Sequence, residues 1–171
     1  MVVMRFISIK IAIFAYKSTL FLEENEKYTD LIFPPHNLRT RKNSSGEVEV
    51  WVPSRGAWLV LTPEEEVRRR VVRHLSERLA VPATHISEEH PVRLNGQPQR
   101  ADIVVFDGSL RPWLVVECKA PDVALSQSVL DQVVRYNSVL GAPTVVVTNG
   151  RVVRAFILTD RGTYAECDFP V

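Results

Sequence analysis

The chain has 171 residues, 46% of them hydrophobic and 24% charged, which is the composition of an ordinary globular protein with enough length for a sizeable core. A formal net charge of +1 excludes a whole-molecule field that attracts polyanions, so any nucleic-acid contact must come from a local patch. Cys118 and Cys167 are too few for a disulfide framework, neither sits in a zinc-type CxxC pair, and a reducing cytoplasm is the expected compartment.

Residues 1–22 are apolar, but Arg5, Lys10 and Lys17 interrupt them, so no membrane span is expected. No small-x-small cleavage site follows, and residues 1–29 read as an N-terminal extension ahead of a domain over residues 30–171. Phe33-Pro34-Pro35-His36 is a turn or extended stretch. Leu38 to Trp51 reads as a hairpin around Asn43-Ser44-Ser45-Gly46, and Trp58 to Leu61 is a short apolar run. A helix starts next: Thr62 suits the N-cap, Pro63 the first turn, and Glu65 stands at the capping-box spacing. The helix is expected to run to about Leu79, with Val67, Val71, Val72, Leu75 and Leu79 as its apolar stripe. Arg68 falls inside that stripe and needs a partner, for which Glu65 is a candidate. Arg69, Arg70 and Arg73 are expected on a solvated face, with phosphate contact as the alternative.

A short strand over residues 92–94 leads to an Asn95-Gly96 turn. Two strongly apolar strands follow, Arg100 to Phe106 and Trp113 to Lys119, joined at Asp107-Gly108-Ser109. A second helix spans Ser126 to Leu140, with Val129, Val133, Tyr136 and Leu140 on its stripe and Gly141 at its cap. Thr144 to Thr148 is a strand, Asn149-Gly150 a hairpin turn, Arg151 to Leu158 its partner, and Tyr164 to Cys167 the last strand. The order predicts an α/β (α+β) fold with a mixed β-sheet flanked by helices.

The charges at the ends of the two apolar strands carry the chemistry. Alternation turns Glu117 and Lys119 to one side and Cys118 to the other. If the strands pair, Asp102 joins them, and two carboxylates and an ammonium converge. That suits Mg²⁺, with Asp102 and Glu117 as ligands and the Cys118 carbonyl as a third oxygen. Lys119 would then position or deprotonate a water, or stabilise charge developing on phosphorus. Taken alone, the short D…ExK pattern fits a surface pair on an edge strand, with Asp102 turned to solvent, better than it fits a site; the apolar strands around it favour the site. Glu65 is explained by its capping role and equally suits a carboxylate touching the cation. Gln132 and Tyr136, one turn apart on the second helix, are a core tyrosine with its amide neighbour or a pair that supports the site. The Cys118 thiol and the four scattered histidines are expected to be structural.

The blocks Leu61-Thr62-Pro63-Glu64-Glu65…Val67-Arg68, Arg100 to Val105, Val115 to Pro121, Gln132 to Tyr136 and Val147 to Gly150, in this order, resemble the PD-(D/E)xK nuclease superfamily. Within it they are similar to stand-alone relatives of the N-terminal nuclease domain of the type I restriction enzyme R subunit. The resemblance implies a restriction-endonuclease-like fold and a Mg²⁺-dependent DNA endonuclease, with Mn²⁺ as a substitute ion. It implies Asp102 and Glu117 as metal carboxylates, Lys119 as catalytic lysine, Glu65 as the helix acid and Gln132 with Tyr136 as the Q-x-x-x-Y element. The sequence lacks a G-x-x-x-x-G-K-[ST] motif, so motor-driven translocation is not expected of it. DNA is the expected partner, with a partner protein or a second copy as possible company. The alternatives are a catalytically inactive nucleic-acid-binding or assembly module, and a structural protein whose charged strands form a buried ion-pair network.

Overall fold

In the computed structural model, residues 30–169 are described; the expected extension, residues 1–29, lies outside the described residues. Strands β1 (Thr40–Lys42), β2 (Val48–Val52) and β3 (Ala57–Val60) form a three-stranded antiparallel sheet in that order. The expected hairpin closes on Asn43, whose Oδ1 accepts from the N–H groups of Ser45 and Glu47 at 3.0 and 2.9 Å. Alternation sends Val50 and Val52, both fully buried, to one face, and sets Trp51 opposite Trp58 on the other.

Helix α1 (Pro63–Glu77) begins as its sequence signals: Thr62 Oγ1 accepts from the Glu65 N–H at 3.1 Å. The capping box is only half made, because the Glu65 carboxylate turns to Arg68 and Arg69 instead of back to Thr62. Val67, Val71 and Leu75 form the buried stripe, while Val72 and Leu79 are half-buried. The expectation of a solvated arginine face is corrected. Arg69 and Arg70 are buried, Arg69 against Glu65 and Glu88, and Arg70 against Glu66 and the Phe33 carbonyl. Phe33 and Phe169 pack against His74 and the Phe33 carbonyl accepts from Arg70, so the side away from the apolar stripe is also interior, and carboxylates on neighbouring turns and on β4 neutralise it. Arg73 alone of the three is half-exposed, paired to Glu77.

The main sheet has six strands, β4 (Ile86–Leu94), β5 (Gln97–Phe106), β6 (Pro112–Cys118), β7 (Thr144–Thr148), β8 (Val153–Leu158) and β9 (Tyr164–Cys167), in chain order across the sheet. Only β6 and β7 pair in parallel, joined by the crossover helix α2 (Gln127–Leu140). Val129, Val133 and Tyr136 of α2 pack with Val104, Val115 and Val145 of the sheet. The fold is α+β with a mixed sheet, as the element order predicts.

Strand β4 is three times longer than its sequence suggests. Pro91 and the run Glu88-Glu89-His90 hide it, but at a sheet edge proline loses no ladder bond. Its ladder with β5 keeps one unbroken register from Ile86↔Val105 to Leu94↔Gln97, and Glu89, at φ 51°, comes within 3.1 Å of Arg68.

The Asn149-Gly150 turn is more than turn chemistry. Asn149 is buried, its Nδ2 donating to the Val123 carbonyl at 2.9 Å, and the Gly150 carbonyl accepts from the Ile32 N–H at 2.8 Å. Gly150 has φ +82°, and a Cβ there would lie 3.0 Å from both Leu31 and Val67 side chains. Gly150→Ala combines left-handed strain with overpacking and is expected to cost about 2 kcal/mol or more. Thermal unfolding should show it as a drop of several degrees.

Candidate functional site

The β5–β6 ladder reaches Ile103↔Val116, and Asp102 and Glu117 are the next residue on each strand, near enough for the Asp102 charge to act on Glu117. Both acids are buried at the strand ends, Asp102 at 7% and Glu117 at 3% exposure. Alternation from Val104 and Val115 turns them to the side of the sheet that α2 covers. Lys119, just past β6, donates from Nζ to Glu117 Oε1 at 2.7 Å, and its N–H donates to the Thr148 carbonyl. The expected trio therefore stands together. Asp102 Oδ2 accepts from the Cys118 N–H at 2.7 Å. A strand residue presents its N–H and carbonyl to the same edge, so the Cys118 carbonyl also points toward β5.

Arg68 is the residue that the sequence placed only as far as Glu65. Its guanidinium reaches Glu65 at 2.6 Å, Asp102 at 2.8 Å, Glu89 at 3.1 Å and Glu64 at 3.6 Å. A single buried cation thus ties the first turn of α1 and Glu89 of β4 to the acid of β5.

Burial and electrostatics separate the carboxylates. Glu117 is pushed up to about 7, first by burial and then by the neighbouring Asp102 charge, with Lys119 pulling the other way. Asp102 is raised by burial, which Arg68 and the Cys118 N–H partly offset. Burial alone would lower Lys119, but Glu117 outweighs it and the ammonium is held above its ordinary range. The Cys118 thiol is pushed well up by complete burial, which makes it inert, as expected of a structural cysteine.

The two acids in the first turn of α1 sit in different surroundings. Glu65 is buried and held by Arg68 and Arg69. Glu64, half-exposed, shares the Arg68 Nη2 with Asp102. It is raised by burial and then by Asp102, and it in turn acts on Glu117 and Lys119. Glu64 is therefore the carboxylate of α1 that neighbours the trio on its open side, and proximity to Thr62 gave the sequence no means of choosing between the two. Glu65→Gln is expected to lower stability by roughly 3 kcal/mol, since it leaves two buried guanidinium groups short of a partner. Urea titration of the two variants checks this, with Glu64→Gln expected to stay within about 0.5 kcal/mol of the wild type.

Gln132 and Tyr136 meet each other, the Gln132 amide donating to the Tyr136 hydroxyl at 3.0 Å. Tyr136 is buried in the α2 core, and among the described residues no hydrogen bond or ion pair joins either to Asp102, Glu117 or Lys119. The histidines share no ligand set: His74 stacks edge-on against Phe33, His90 against Phe106, and His36 is pushed down to about 4 by burial and then Arg73. Among the described residues no three His, Cys, Asp or Glu side chains form a ready-made cage for a metal ion. Nor is any helix among them long and apolar enough to cross a membrane.

An antiparallel and parallel strand pair that brings Asp102, Glu117 and Lys119 to one place defines a D…ExK site on a mixed sheet. The family model of the type I restriction enzyme R protein N terminus (HSDR_N) matches residues 63–168. The chain belongs to that family. The match starts at α1 and includes every residue of the trio; strands β1–β3 precede it. A comparison with curated proteins and one with solved structures each gave no match.

Proposed function

We propose that the protein is a Mg²⁺-dependent endonuclease that hydrolyses DNA phosphodiester bonds at Asp102, Glu117 and Lys119, within a domain that starts near residue 30. The carrying observation is the buried Asp102–Glu117 pair, whose mutual repulsion helps push Glu117 up to about 7. A divalent cation relieves that repulsion, and two carboxylates with a nearby carbonyl are the donor set that Mg²⁺ takes while keeping several waters. Asp102, Glu117 and the Cys118 carbonyl would hold the ion, with Glu64 or Glu65 on its α1 side. When bound, the ion supplies Lewis acidity toward a phosphodiester oxygen. Lys119, kept charged by Glu117, donates to the oxygen on which negative charge develops rather than accepting a proton from water. Glu117 orients the ammonium. Arg68 fixes Asp102. Gln132 and Tyr136 support the site from α2. Mn²⁺ is expected to replace Mg²⁺, and a cytoplasmic location suits the two free thiols. The test is nicking of supercoiled plasmid by the purified chain: conversion with Mg²⁺ and none with EDTA supports the reading, and conversion unaffected by EDTA contradicts it.

One observation favours a second reading, an inactive nucleic-acid-binding or assembly module. Both Asp102 oxygens already have protein partners, Arg68 and the Cys118 N–H, so the guanidinium does part of a metal ion's work. On this reading calorimetry detects no Mg²⁺ binding that Glu117→Ala abolishes.

A further inference from the structure

Strands β1–β3 lie outside the family match, and their outer face is built unlike a passive cover. The register puts Arg39, Arg41, Glu49, Trp51, Trp58 and Val60 on the side opposite the buried Val50 and Val52. The Trp51 and Trp58 rings stand 5.5 Å apart, both half-buried. The Arg39 guanidinium lies over both, 5.5 and 5.4 Å from their centroids, and Arg41 lies 4.4 Å over Trp58. Arg41 also binds Glu49 at 2.6 Å. Arg39, which is exposed, has no carboxylate partner among the described residues, while Lys42, opposite Val48, lies on the other side of the sheet. In a chain of net charge +1, two guanidinium groups, Arg39 and Arg41, stand together over two indoles.

We propose that this face binds a short stretch of single-stranded DNA, with unpaired bases stacking on Trp51 and Trp58 and the adjacent phosphate held by Arg39. Stacked aromatic rings on a positively charged surface are the recognition chemistry of unpaired nucleotides, because every base has a π-face. Arg39 occupies the ring faces with a planar cation. A base taking that place frees its forked donors for the adjacent phosphate. The face is also tied to the acids: between β2 and β3, Ser54 donates to Glu88 and Arg55 lies 3.8 Å from Glu89, which shares Arg68 with Asp102. Delivery of the bound strand to Asp102 and Glu117 rests on the nuclease reading; binding itself does not.

The experiment is fluorescence anisotropy in EDTA with a labelled single strand of about 20 nucleotides and the matching duplex, over a salt series. The wild type is expected to prefer the single strand and to lose tryptophan fluorescence on binding. Trp58→Leu is expected to weaken binding about tenfold, and Arg39→Gln to flatten the salt slope by about one. Arg39 is exposed, so its variant folds even if Trp58→Leu does not. Equal binding by the wild type and Arg39→Gln at every salt concentration, or equal affinity for the duplex, overturns the proposal. So does a wild type that binds neither strand and instead self-associates through the tryptophans. Because no divalent ion is present, loss of cleavage with intact binding counts against the nuclease site alone.

Discussion

Lys119→Ala is expected to reduce plasmid cleavage by about a hundredfold to a thousandfold, the usual cost of one preorganised donor to developing charge. Its ammonium makes one described contact, with Glu117, and it stands past the end of β6 rather than in the core. The variant should therefore unfold at nearly the wild-type urea concentration and bind Mn²⁺ at least as well, since a competing cation is gone. Asp102→Ala should abolish cleavage too, but with a stability loss, because Arg68 and the Cys118 N–H both lose an acceptor. A Lys119→Ala protein that cleaves at the wild-type rate removes the lysine from the chemistry.

The second large effect is on stability against pH in the metal-free protein. Glu117 ionises near 7 in the folded chain against 4.5 in its ordinary setting. Below the lower value it is protonated in both states and costs nothing. Between the two, the unfolded chain has released the proton and the folded chain still holds it, so stability falls as pH rises. Above about 7 the full penalty applies, on the order of 3 kcal/mol. Glu117→Gln, which keeps an oxygen for Lys119, is expected to remove most of that slope and to be the more stable protein at pH 8. Urea titrations at pH 5 and pH 8, with EDTA present, measure it. Parallel pH profiles for the two proteins would refute the account of Glu117.

Much of this site was legible before folding because strands encode sides. The period of two in Val115-Val116-Glu117-Cys118-Lys119 separates the working acid and ammonium from the thiol, and the apolar runs around them require a buried setting. The Thr62-Pro63 start and the Gly141 stop mark helix ends by backbone chemistry alone, and both stand as read. What the sequence hid was long-range. Whether Arg69 and Arg70 meet solvent depends on β4 and on residues 31–33 packing over α1, which no local period reports. Glu64 and Glu65 are adjacent and chemically alike, and only the twist of α1 against β5 decides which one Arg68 and Arg69 sequester. The β4 strand itself was masked by a proline and the polar run Glu88-Glu89-His90, and with it went Glu89, the fourth carboxylate around Arg68.

The central claim is that Asp102 and Glu117 hold one divalent cation between them. Anomalous diffraction from a crystal soaked in Mn²⁺ tests it most directly. The account predicts a single strong peak in contact with both carboxylates. A crystal that keeps Arg68 on Asp102 and shows no peak beside Glu117 would contradict it.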